Sequence, residues 1–169
     1  WDVATRTFKT LWSGSGSDLT GFESTFDRQD LFAIRSMPSR TAVTLLDKNA
    51  GEARLLAELM GQFPGSDVSF VNASKDGKKV VVLVDSDRDP GSFYLYDADT
   101  KKVGFLLARA PWIKPETLAG MEPFEIKARD GLSLHGFLTR PAGQEAAKKL
   151  PMVVFVHGGP FEVQDKWAY

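Results

Sequence analysis

Residues 157–160 read His-Gly-Gly-Pro and follow the apolar run "PMVVFV" at 151–156. A strand that runs directly into paired glycines presents bare backbone amides, because no side chain stands between them and a ligand. Amides placed this way can hold the negative charge that develops on a carbonyl oxygen during acyl transfer. One such donor is typically worth about 3–4 kcal/mol in the transition state. Pro160 has no N–H and stiffens the exit of the loop. A plain glycine turn after a strand is the competing reading of the same residues.

Acyl transfer also needs a nucleophile and a base, and neither is evident. The sequence contains no G-x-S-x-G. "SGSGSD" at 13–18 fails that spacing and reads as a flexible loop. The two histidines are His135 and His157. His135 shares a strand pattern with Leu134 and Phe137, and no Ser or Asp partner can be named for it. "DSDRDP" at 85–90 has the look of a calcium loop, but the glycine and glutamate such a loop requires are replaced by Pro90 and Tyr96. It is expected to be a solvated loop. The lysines of "KDGKK" and Lys101-Lys102 sit in turns without an aromatic platform. Trp12, Trp112 and Trp167 are expected in a core or a domain interface, with Trp167 also a candidate to line a pocket.

These residues are embedded in an ordinary soluble composition: 169 residues, 43% hydrophobic, net charge −1. Nothing in the charge calls for nucleic acid or an anionic membrane, and no apolar run nears the ~20 residues of a membrane span. The absence of cysteine excludes disulfides and thiolate metal sites. No cofactor or metal motif is present. The chain is expected to be soluble, and its compartment, cytoplasm or periplasm, is left open by the sequence. It opens on Trp1 without a signal-like segment, and both ends read as cuts in a longer protein.

An internal repeat supplies the architecture. With Asp47 laid on Asp97, Phe32 falls on Val82, Ile34 on Val84, Val43 on Phe93, Leu45 on Leu95, Leu55 on Phe105 and Leu56 on Leu106. Ser24 falls on Ser74 without a gap. Each copy reads as short strands broken by turns: "VSFVNAS", "VVVLV", "SFYLYD" and "VGFLLAR" in the second copy. Four strands in about 45–50 residues is the size of a β-propeller blade. A third trace begins at Trp1-Asp2, with Leu11 where Leu56 and Leu106 stand. A small β-sandwich is the alternative. A propeller closes with ~4–8 blades, so two and a fraction cannot form a ring alone.

Residues 111–123 hold Pro111, Pro115 and Pro123 and read as a linker with one short helical turn. Residues 124–128 and 132–138 read as strands joined at Asp130-Gly131, a hairpin signal. The run at 151–156 reads as a strand covered on both faces, with its parallel neighbours outside this sequence.

At this point "DGLSLHGFLTRP", followed by "LPMVVFVHGGP", resembles the entry to the α/β-hydrolase domain of the prolyl oligopeptidase family, in its acylaminoacyl-peptidase and dipeptidyl-peptidase branches. The repeats resemble that family's closing propeller blades. The resemblance implies a mostly β fold: propeller blades over 1–110, the linker 111–123, and the first part of a hydrolase domain over 124–169. It implies a serine peptidase acting on short peptides through an acyl-enzyme, with an oxyanion donor on Gly158 or Gly159 in the loop His157–Pro160. Nucleophile, Asp and His of the triad would lie elsewhere in the parent, so this chain alone is expected to be inactive. Its expected partners are a peptide substrate, the rest of the hydrolase domain, or a second copy meeting it through exposed strand edges. The rival class is a non-catalytic propeller scaffold. A G-x-S-x-G in the coding sequence beyond Tyr169 would separate the two.

Overall fold

The computed structural model describes residues 3–14, 16–159, 161 and 163–169. Trp1-Asp2, on which the third repeat trace was anchored, and Pro160 lie outside the described residues.

The first sheet is an antiparallel meander of β1 (Leu19–Ser24), β2 (Leu31–Ser36) and β3 (Ala42–Leu45). The second has four strands in sequential order: β4 (Asp67–Ala73), β5 (Lys79–Asp85), β6 (Ser92–Asp97) and β7 (Lys102–Ala108). A 3₁₀ turn over Pro115–Thr117 precedes the hairpin of β8 (Met121–Lys127) and β9 (Ser133–Thr139). The protein is mostly β, with antiparallel sheets of which none closes on itself. All four strands read from the second repeat are present within a residue or so of their expected bounds.

The two copies differ in their fourth element. Where Leu55 and Leu56 were matched to strand residues Phe105 and Leu106, the chain forms helix α1 (Gly51–Gln62). The reason lies in composition. "EARLLAELM" contains only strong helix formers, whereas "KVGFLLA" contains Val, Gly and Phe. The buried positions Ala53, Leu56 and Leu59 recur every third residue, on one helical face. Pro64 and Gly65, the latter at φ +81°, stop the helix.

The repeat register also slips at a turn. Asp47 and Asp97 do the same work at their offset of 50: each accepts a backbone N–H two residues on, from Asn49 and Asp99. In the β1–β2 and β4–β5 turns, however, the matching hydroxyls are Thr25 and Ser74, not Ser24 and Ser74. Thr25 bonds Asp27 and the amide of Asp30, as Ser74 bonds Asp76 and the amide of Lys79. The β1–β2 ladder also carries a bulge between Glu23 and Ser24, opposite Phe32.

One core joins both sheets to α1. Phe32 and Ala33 of β2, Leu56 and Leu59 of α1, and Val68, Val80 and Val82 of β4 and β5 are fully buried together. Phe70 bridges the sheets, with its ring 5.4 Å from Phe26 and 6.2 Å from Phe32. Residues 8–14 form no strand, and Leu11 is exposed, so the third repeat trace is not built as a blade strand. Trp112 is likewise on the surface, 77% exposed, rather than in a core or interface.

The expected strand at 151–156 is also absent. The run is extended but unpaired, and Val153 to Val156 are 71–91% exposed. A β ladder requires a partner, and no described segment lies alongside to provide one.

Candidate functional site

The hairpin positions most of the site. Ala128 donates its N–H to Leu132 O, Asp130 Oδ1 accepts from the amide of Leu132, and Gly131 takes φ +87°, a conformation suited to glycine. The register that follows sets Pro123 opposite Phe137, Phe124 opposite Gly136 and Glu125 opposite His135. Gly136 is needed there because a Cβ would come within 2.7 Å of the Phe124 ring. Pro123, read from the sequence as linker, lies inside β8 in this two-stranded sheet, where an edge strand tolerates its missing N–H.

A cavity of about 400 Å³ opens where this hairpin meets the loop after β2 and the chain's last residues. Met37 and Pro38 form one wall, and Phe124, Glu125, His135 and Phe137 another. His157, Val163 and Asp165 complete it. Both histidines of the sequence therefore reach one cavity. His135 stands opposite Glu125 in the strand register, a neighbour that sequence reasoning could not supply. A hydrogen bond from Ser133 and the nearby charges of Lys127 and His135 hold the Glu125 carboxyl below its ordinary range. His157 Nδ1 donates to the carbonyl of its neighbour Gly158 at 2.5 Å.

Gly158 and Gly159 lie beyond the cavity's lining. Both are exposed, and beyond their chain neighbours no described residue stands within 4 Å of where a Cβ would be. Neither amide has a hydrogen-bond partner among the described residues. Among the described residues the loop thus offers unpartnered donors, with His157 as its link to the cavity. Among the described residues no group of acidic, histidine or cysteine side chains is arranged to hold a metal ion.

Trp167 does not line the cavity but anchors the segment that does. It is 7% exposed, its indole Nε1 donates to Met121 O at 3.1 Å, and Arg40 stacks on its ring at 4.9 Å. The acidic loop after β5 also has a definite task. Asp87 Oδ2 accepts the N–H of Met121 at 2.6 Å, strapping β8 to the second sheet.

Sequence reasoning passed over the roles of Met37, Glu125 and Asp165, which become neighbours only through long-range packing. It also passed over Arg35. This guanidinium sits in the apolar strand "LFAIRS", a signal that was available. Its side chain is 11% exposed and bonds Glu23 at 2.5 Å and Asp67 at 2.7 Å. Burial alone would lower its pKa, but the two carboxylates outweigh that and raise it.

Comparison with known proteins finds partial likenesses. The chain is similar to dipeptidyl aminopeptidase BIII of Pseudoxanthomonas mexicana, 30% identical over 112 residues, covering 63% of this chain and 16% of that protein. It is also similar to dipeptidyl peptidase family member 6 of Caenorhabditis elegans, 26% identical over 134 residues, covering 68% of this chain and 18% of that one. The chain spans less than a fifth of the length of the curated relatives it matches. No family model matches it, and no solved structure does. The likeness is thus to dipeptidyl-peptidase-like proteins, and points to a peptidase-related function without fixing the branch.

Proposed function

We propose that this chain belongs to a serine peptidase of the prolyl oligopeptidase type that cleaves short peptides through an acyl-enzyme. On this reading β1–β7 are propeller blades, one of them carrying α1 in place of its fourth strand. The hairpin β8–β9 and the run at 151–156 open the hydrolase domain, and Gly158 or Gly159 supplies one oxyanion donor. The observation that carries the reading is the likeness to two dipeptidyl peptidases in a chain whose bladelike sheets lead into a hairpin and a glycine loop with unspent amides. The nucleophile comes from another part of the parent.

The test replaces Gly158 or Gly159 by proline in the full-length protein. Removal of the donor amide is expected to lower kcat on a peptide p-nitroanilide by about 100-fold or more, with unfolding unchanged. Unchanged kcat in both variants would reduce the loop to a turn. The isolated chain is expected to give no turnover above blank. Turnover that copurifies with it and is blocked by a serine-directed phosphonate would overturn the assignment of the nucleophile.

A further inference from the structure

The cluster around Arg35 lies at the same end of the sheets as the cavity, and the two are linked by a short circuit of named contacts. Arg35, near the end of β2, reaches Glu23 of its own sheet through Nε at 2.5 Å. It reaches the second sheet twice, at Asp67 Oδ1 through Nη1 at 2.7 Å and at Val68 O through Nη2 at 2.5 Å. Asp67 is paired in register with Asp85, the last residue of β5. One planar cation thus ties the end of β2 to the ends of β4 and β5. A guanidinium fork fixes angle as well as distance, whereas the apolar contacts of α1 with β2 and β4 are non-directional.

The anchors of the last residues begin directly beyond these strand ends. Two residues past Arg35, Met37 Sδ accepts the N–H of Trp167 at 3.4 Å. One residue past Asp85, Ser86 O accepts the N–H of Tyr169 at 3.0 Å. Asp87 then accepts the N–H of Met121, whose carbonyl accepts the Trp167 indole. The contacts close a ring: β2, Trp167, Met121, Asp87, β5 and back through Asp67 to Arg35.

We propose that Arg35 is a positioning residue: by fixing where β2 and β5 end relative to each other, it sets the place of residues 163–169 and of the cavity wall they form. This goes beyond the peptidase reading and does not depend on it, since its test reads local opening rather than activity.

The experiment is hydrogen–deuterium exchange with mass spectrometry on Arg35→Met and, as a milder break, Asp67→Asn. In Asp67→Asn, Arg35 keeps Glu23 and the Val68 carbonyl. The expected result is at least tenfold faster exchange in peptides covering 119–123 and 163–169, with α1 and β6 at the wild-type rate. Wild-type exchange at 163–169 in a folded variant overturns the proposal. So does uniform acceleration that includes α1 and β6, or loss of the fold in both variants, because each would make Arg35 a general stabiliser only.

Discussion

Asp85 shows how a single side chain can work against its own fold. It ends β5 beside Asp67, and burial is the main cause of a carboxyl held above its ordinary value. The like charge of Asp67 adds to this, and Arg109 and Arg35 oppose it. The raised value means that folding favours the protonated form. That contribution is present below the unfolded value and is lost as pH rises through the folded one. At neutral pH the ionised group is therefore a cost. Asp85→Asn is expected to raise the thermal midpoint at pH 7 by about 1–3 °C, the gain fading toward pH 3. A lower midpoint at pH 7, measured by calorimetry across that range, would mean that the attraction of Arg109 and Arg35 dominates. Asp97 is the contrast: its bond to Lys79 and the turn amides it accepts hold its carboxyl low, as expected of an exposed turn cap.

At the scale of elements, α1 is where the repeat broke. A strand laid through this segment in the register of Leu56 on Leu106 would bury residues 54, 56 and 58 together, whereas the helix buries Ala53, Leu56 and Leu59. Leu59→Ala is therefore expected to cost about 2–5 kcal/mol, as a cavity in a closed core does. Glu58→Ala, on the solvent face, should stay within about 0.5 kcal/mol. Urea unfolding of both variants checks the pair, and the reverse order of effects would restore the strand. The helix also serves its neighbour: Glu52 in its first turn accepts the N–H of Phe26 at 3.0 Å, holding the β1–β2 turn against it.

For the molecule as a whole, the dominant fact is exposed apolar surface. Residues 151–156 have no strand partner among the described residues, and β7 presents Phe105 and Leu107 at 61% and 53% exposure. Contiguous apolar surface beside free N–H and C=O groups favours strand addition between chains. The isolated chain is expected to self-associate, and light scattering after size exclusion over a tenfold concentration range should show mass rising above the 18.6 kDa of one copy. Val154→Lys with Phe155→Glu should reduce that association. A monodisperse monomer with a cooperative thermal transition would mean that the exposed run is silent in solution.

The sequence by itself determined the parts that depend on neighbours along the chain. Short apolar, β-branched or aromatic runs bounded by turn residues placed β4 to β7, because such side chains suit a pleated strand and Gly, Pro and Asp suit the turns. Asp130-Gly131 placed a hairpin because few residues accept that backbone turn. Asp47 and Asp97 marked equivalent turns because a short carboxylate caps the amide two residues on. Where the local signal was overridden by similarity to another segment, as at α1, the reading failed although the helix formers were in plain view. Only the tertiary structure decided what depends on distant residues. His135 came to stand opposite Glu125 through strand register, and it shares a cavity lining with His157 only through long-range packing. Arg35 in an apolar strand is stable only because Glu23 and Asp67 converge on it from two sheets. The run at 151–156 carries every local mark of a buried strand, but burial and pairing require partners, and no described segment supplies them.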